Sequence, residues 1–292
     1  MSNLRPARLF VLGAAFLFST GGAAIKWTHL GAFQVAGFRS AVAAVVLVLL
    51  IPEARRGFGF HLLPAALAYA ATVISFVAAN KLTTSAAAIF LQSTAPLWVL
   101  ALSPVLLRER VHRRDLIFVG VAAVGLLLVF LGSRDPVATA PRPGLGNLIA
   151  LGSGLFYAVM MMTMRRLAHS DRGAGQAIAA TVLGNGLAFA ACLPFCLPVI
   201  GATARDAVAI GYLGVFQIGL AYWLFTRGLR SLPALEVSLL ALLEPVLNPL
   251  WSWLLHDERP SALALIGGAA MLAVLAVRGL LDRPAGEVDR VA

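Results

Sequence analysis

The chain has 292 residues, 60% of them hydrophobic and only 12% charged, with a mean hydropathy of +0.88. A soluble domain carries about 25% charged residues, so the composition excludes an ordinary water-soluble fold and implies an all-α membrane protein with almost no room outside the bilayer. The net charge is +10, but the arginines cluster in short stretches between apolar runs, which is the pattern of membrane loops and not of a nucleic-acid surface.

Ten apolar segments follow in chain order: Ala7–Lys26, Phe33–Ile51, Leu62–Leu82, Ser85–Leu107, Asp115–Gly132, Leu145–Arg166, Gln176–Leu197, Asp206–Gly228, Pro233–Leu255 and Ser261–Leu280. Each is long enough to span a bilayer with some tilt. Arg5 and Arg8 precede the first run and resemble the start of a signal peptide. No cleavage site interrupts Leu9 to Ile25, so the run is read as a retained first helix. Within it, Ser19 and Thr20 before Gly21 and Gly22 form a soft centre, a hinge or a close helix contact. Cys192 and Cys196 lie four apart on one helix face, and small apolar filler explains them better than a metal or disulfide role.

The fourth segment organises the rest. Ser85 to Arg110 is apolar, carries Pro96 near its middle and ends in the charged stop Arg108-Glu109-Arg110. A mid-helix proline frees the carbonyl four residues back, here that of Gln92. In lipid that carbonyl must find a partner or line a cavity. Ala234 to Arg259 repeats the pattern 149 residues on: Pro245 matches Pro96, and in both copies 13 residues separate the proline from the acidic member of the Glu-Arg stop. Leu12–Phe18 echoes Leu151–Tyr157 more weakly, and Lys26 falls opposite Arg165. The proline-rich link 133–144 divides five segments from five. The expected architecture is therefore ten transmembrane helices as two five-helix repeats, residues 1–137 and 138–292. An odd number per repeat makes the two inverted, about an axis in the membrane plane.

Orientation follows from lysine and arginine. Sixteen of 23 fall on the side holding both termini, which places the termini in the cytoplasm of a multi-pass protein. Arg39 is read as lying near the outer end of the second helix.

Polar residues deep in an apolar helix are functional candidates, because burying them unpaired is costly. Glu244 is the deepest acid; insertion scales charge about 2.5–3.5 kcal/mol for Asp, Lys or Arg at bilayer centre. It is a candidate for proton coupling or for holding a substrate's amino group. The bland reading is a structural carboxylate tied to backbone freed by Pro245. No tight partner is expected for it, since Arg39 is read as too far toward the end of its helix. Gln92 and Ser93, one turn before Pro96, are candidates to face a cavity; a plain kink is the alternative. Asn185 and Gln217, central in their helices, more often bond a neighbouring helix than a ligand. Phe16, Phe76, Tyr157 and Tyr222 are mid-depth aromatics that suit an apolar or aromatic substrate, although lone aromatics usually pack. Trp27, Trp251 and Trp253 fit an interfacial belt.

Enzyme signatures are missing: no phosphate-cradling Gly-rich loop with Lys-Ser or Lys-Thr, no His-Glu-x-x-His zinc helix and no Gly-x-Ser-x-Gly elbow. The histidines all fall in or beside loops. No enzyme activity, metal or cofactor is expected.

Glu244-Pro245-Val246, then Asp257-Glu258-Arg259, then the small-residue run Leu265-Ile266-Gly267-Gly268-Ala269 resemble the repeated signature of the drug/metabolite transporter superfamily, in its EamA branch. The first half departs from it, with Ala95 at the position of Glu244 and Arg108 where a glycine is common. Within the branch the chain is most similar to the YddG-type bacterial exporters of aromatic and other amino acids. The resemblance implies a carrier in the bacterial inner membrane, working by alternating access. Segments 1–4 and 6–9 would line a central cavity, with segments 5 and 10 behind them. The function expected is export of small metabolites, amino acids first. The expected substrate contacts are Ser19, Phe76, Gln92, Ser93, Tyr157, Asn185, Tyr222 and Glu244, with Pro96 and Pro245 as hinges. Lipid, an amino-acid substrate and a coupling proton are the expected partners, with no oligomeric state implied. The alternatives are a passive small-solute channel, a carrier for another substrate class, or a lipid-acting membrane enzyme.

Overall fold

A computed structural model describes residues 5–95, 97–98, 101–102, 113–133, 135, 137–168, 175–229, 240–241 and 243–281. Among the described residues the chain is helical, with one isolated bridge between Val137 and Ala140. The helices are α1 (Arg5–Ser19), α2 (Gly21–Trp27), α3 (Ala32–Leu50), α4 (Leu63–Leu82), α5 (Ser85–Gln92), α6 (Arg113–Gly132), α7 (Pro143–Ala168), α8 (Gly175–Cys196), α9 (Ala204–Tyr212), α10 (Ala221–Leu229), α11 (Leu243–His256) and α12 (Ala262–Leu281). A π-helical stretch, Leu213–Leu220, joins α9 to α10. Arg5–Trp27, Ala32–Leu50, Phe60–Leu82, Pro143–Met164, Gly175–Cys196 and Ala204–Phe225 are long and apolar enough to cross a membrane. Gly120–Gly132 and Ala262–Val274 are shorter apolar stretches.

The breaks have local causes. α1 ends at Ser19, and the next turn packs Gly21 against the Gln217 side chain and Gly22 against Asn248, where a methyl group would meet atoms at 2.8 Å. This is close helix contact at the soft centre. α5 stops at Gln92, and Ser93 and Thr94 turn, each hydroxyl donating to a carbonyl of the last turn, Ile89 at 2.8 Å and Leu91 at 2.6 Å. Pro96 itself, and the charged stop that follows it, lie outside the described residues. In the second copy the described residues of α11 carry two prolines, Pro245 and Pro249.

Helices pair in a definite set. α1 packs on α10 and α11, α3 on α8 and the π stretch, α4 on α7 and α8, α5 on α7 and α11, and α6 on α12. The α6–α12 crossing depends on Gly125 and Gly267: a Cβ on either would sit 2.7 Å or less from the other's carbonyl oxygen. Backbones this close gain van der Waals contact that lipid does not offer as well.

The end of the bundle opposite Arg5, called here the distal end, is stitched by polar groups. Lys26 is buried and pairs with buried Glu258 at 3.1 Å. It also donates to the carbonyls of Thr83, at 2.8 Å, and Thr139. Glu258 in turn accepts the backbone N–H of Ser85. Lys81 donates to the Thr28 carbonyl at 2.7 Å, and Asp206 accepts the His29 backbone N–H at 2.7 Å. Glu258, part of the charged stop that ends the ninth segment, is 5% exposed and tied to two other segments.

Candidate functional site

Polar and aromatic side chains from several helices converge on one central cavity of about 220 Å³. A volume of that size has room for several waters or one small metabolite. Phe18 from α1, Arg39 from α3, Tyr69, Thr72 and Phe76 from α4, and Gln92 and Ser93 at the end of α5 line it. Tyr157 and Met160 from α7, Gln217 from the π stretch, Tyr222 from α10, and Glu244 and Pro245 from α11 complete the wall. Among the described residues none of α6 or α12 contributes to this lining.

Seven residues expected in the sequence therefore reach one space: Phe76, Gln92, Ser93, Tyr157, Tyr222, Glu244 and Pro245. Two do not. Ser19 is fully buried; its hydroxyl donates to the Phe16 carbonyl at 2.6 Å and accepts the Trp251 indole N–H at 2.9 Å. Asn185 is fully buried on α8 and donates to the Tyr69 hydroxyl at 2.9 Å and the Thr181 carbonyl at 3.0 Å. It positions a wall residue from behind. Gln92 is held in turn, its amide donating to Ser153 at 2.8 Å.

Other expectations change as well. Phe16 is 45% exposed and turns its ring outward against Trp251 at 5.6 Å; Phe18, two residues on, faces the cavity instead. Trp251 is no belt residue, because its N–H reaches inward to Ser19. The eighth segment is expected to carry Gln217 at its centre. It contains the π stretch, which re-aims Gln217 and Ile218 into the cavity, a feature that recurs at functional sites.

Arg39 is the main correction. It lies two turns inside α3, is 3% exposed, and lines the same cavity as Glu244. Its Nη1 donates to the Gln217 side-chain oxygen at 3.3 Å, and its Nε is buried without a partner. Among the described residues no ion pair joins Arg39 to Glu244, and no hydrogen bond holds the Glu244 carboxyl. The arginine inside the apolar run Val-Ala-Gly-Phe-Arg-Ser-Ala-Val was the signal available in the sequence.

Aromatic rings complete the wall. Tyr222 meets Phe18 edge-on at 5.2 Å and Tyr69 at 6.0 Å. The cavity thus offers apolar faces, tyrosine and amide groups, one cation and one acid, which is the composition of a small-molecule site. Among the described residues no cluster of His, Cys, Asp or Glu could hold a metal ion.

Comparison with known proteins adds the family. The chain is 32% identical over 202 residues to an "Uncharacterized transporter" of Archaeoglobus fulgidus, covering 69% of this chain and 70% of that protein. It is 26% identical over 276 residues to the "Pseudopaline exporter CntI" of Pseudomonas aeruginosa, covering 92% and 94%. The fold matches a solved structure described as "Crystal structure of protein" with a TM-score of 0.64 at 22% identity, over 95% of this chain and 97% of that one. The profile of the EamA-like transporter family matches residues 5–131 and 144–279. With both matched stretches lining one central cavity, the chain belongs to the EamA-like transporter family, a family of membrane transporters and not of enzymes.

Proposed function

We propose that the chain is an inner-membrane carrier that exports amino acids, aromatic ones included, by alternating access between two inverted five-helix repeats, residues 1–137 and 138–292. The observation that carries this reading is the cavity, with a guanidinium at Arg39, a carboxyl at Glu244 and rings from Phe18, Phe76, Tyr157 and Tyr222. A zwitterion with an apolar side chain uses all of those features. The helix pairs support the repeat reading: exchanging segments 1–5 with 6–10 turns the α1–α10 and α1–α11 contacts into α7–α4 and α7–α5, and maps α3–α8, α5–α11 and α6–α12 onto themselves. The arginine bias supports reading the distal end as the outer one. Its stitching through Lys26 and Glu258 favours a gated carrier over a passive channel. An exporter among the relatives agrees with the direction.

Glu244 is proposed to exchange a proton when the cavity is wet, so that transport responds to a pH gradient. Purified protein in liposomes, screened for counterflow across the twenty amino acids, tests the substrate. Saturable counterflow of phenylalanine or another apolar amino acid is expected. A linear, non-saturable flux would indicate a channel, and no flux for any amino acid would remove the substrate reading. A reporter active only outside the cell, fused at Ala292, should stay silent; activity there would overturn the topology.

A further inference from the structure

Arg39 was not among the residues that the sequence marked for substrate contact, and no ordinary structural role uses it fully. A guanidinium carries five N–H donors in a planar fork. Here one of them is used, on the neutral Gln217 amide at the long distance of 3.3 Å. Nε is buried and unpartnered, and no other protein acceptor for Arg39 is present among the described residues. An arginine placed to hold helices together would spend more of its donors on protein, as Lys26 does at the distal end with two carbonyls and a carboxylate. Arg39 is also held in position: Gln217 occupies Nη1 from the π stretch, which leaves the edge formed by Nε and Nη2. An Nε–Nη2 edge is the side of a guanidinium that matches a carboxylate bidentately, and in Arg39 neither nitrogen has a protein acceptor among the described residues.

We infer that Arg39 is the carboxylate-binding residue of the cavity, and that the site selects molecules with a carboxylate for Arg39 and a cationic amine for Glu244. This rests on the amino-acid reading above and adds the residue that recognises the acid end. The guanidinium and the carboxyl line one cavity of about 220 Å³, and among the described residues they do not pair with each other. A zwitterion neutralises both at once; a neutral or singly charged analogue leaves one buried charge unpaired. Sites built to bond a polar group reject analogues lacking it strongly, because the site's own groups are then left unsatisfied. The aromatic wall supplies affinity for the side chain and does not distinguish the ends.

The test compares three probes in proteoliposome counterflow: L-phenylalanine, L-phenylalanine amide, which lacks the carboxylate, and 3-phenylpropionate, which lacks the amine. In wild-type protein phenylalanine is expected to be favoured over the amide by about 100-fold or more. Arg39→Gln should bring that ratio to within a few-fold by losing phenylalanine, while its preference over 3-phenylpropionate moves less. Arg39→Lys, which keeps charge without the fork, should fall between. If Arg39 only braces the π stretch, the variants lower all probes together with an unchanged ratio, and the inference is overturned. Equal handling of the acid and the amide by wild-type protein overturns it without any variant, whether or not Arg39→Gln folds. Absence of counterflow with all three probes in wild-type protein is the different outcome that removes the amino-acid reading itself.

Discussion

Glu244 and Glu258 stand 14 residues apart on one stretch of chain, and the protein treats them in opposite ways. Glu258 is 5% exposed, 3.1 Å from the Lys26 ammonium, and accepts the Ser85 backbone N–H. Glu244 faces the cavity with no hydrogen-bond partner among the described residues. The cations repeat the contrast: Lys26 has its partners in protein, Arg39 keeps most of its donors open. The difference separates two uses of charge in an apolar bundle. At the distal end charge is consumed in joining segments, and its removal should weaken the fold. In the cavity charge is left for something that comes and goes, and its removal should spare the fold and damage transport.

The largest expected effect breaks the distal pair on one side. Glu258→Gln leaves the Lys26 ammonium buried without its carboxylate, a change that costs about 3–5 kcal/mol. Lys26→Met with Glu258→Leu should recover most of that loss, because replacing both charges by apolar groups is often neutral. Thermal unfolding in detergent measures both, and a single variant no worse than the double one would contradict a structural pair.

Asp206 is a smaller distal example. It accepts from the Thr203 backbone N–H at 2.9 Å and hydroxyl at 2.7 Å, at the start of α9, and from His29. Asp206→Ala removes the N3 half of the capping box with Thr203 and should lower stability by about 0.5–2 kcal/mol, as read from the same unfolding curves.

Trp251→Phe removes only the N–H donated to Ser19 and should cost about 1 kcal/mol. It should not change which probe the carrier prefers. A shift in substrate preference would place Ser19 and Trp251 in the binding site after all.

Glu244→Gln is expected to have the smallest effect on stability, within about 0.5 kcal/mol, since no protein bond is lost. Its effect should appear in transport, as loss of the response to a pH gradient. If this variant melts as Glu258→Gln does, the contrast between the two acids fails. If it keeps the wild-type gradient response, the coupling role fails while the contrast stands.

Much of the architecture was legible in one dimension. A span needs a certain length of apolar chain, so composition marked the segments, and α3, α4 and α8 end within one or two residues of the runs expected. Seven residues singled out as deep polar or aromatic groups, Phe76, Gln92, Ser93, Tyr157, Gln217, Tyr222 and Glu244, do reach the cavity. Depth was readable, because distance from a segment's ends approximates height in the bundle. Ser19 and Asn185 were readable as buried polar groups, but not as groups already bonded to Trp251 and Tyr69.

Arg39 shows where that reading stops. A residue's height follows from its place in an apolar run, but the direction it faces follows from the rotation of its helix against partners distant in sequence. Its carbonyl neighbour Gly214 and bonding partner Gln217 lie more than 170 residues away. The same holds for Glu258, which looks like a charged stop until Lys26 and Ser85 are brought beside it. Hydropathy and helix length are properties of a segment and can be read from the segment alone. Pairing of charges is a property of two or three segments in contact, so only the packed bundle decides which charges are filled by the protein and which are left for a ligand.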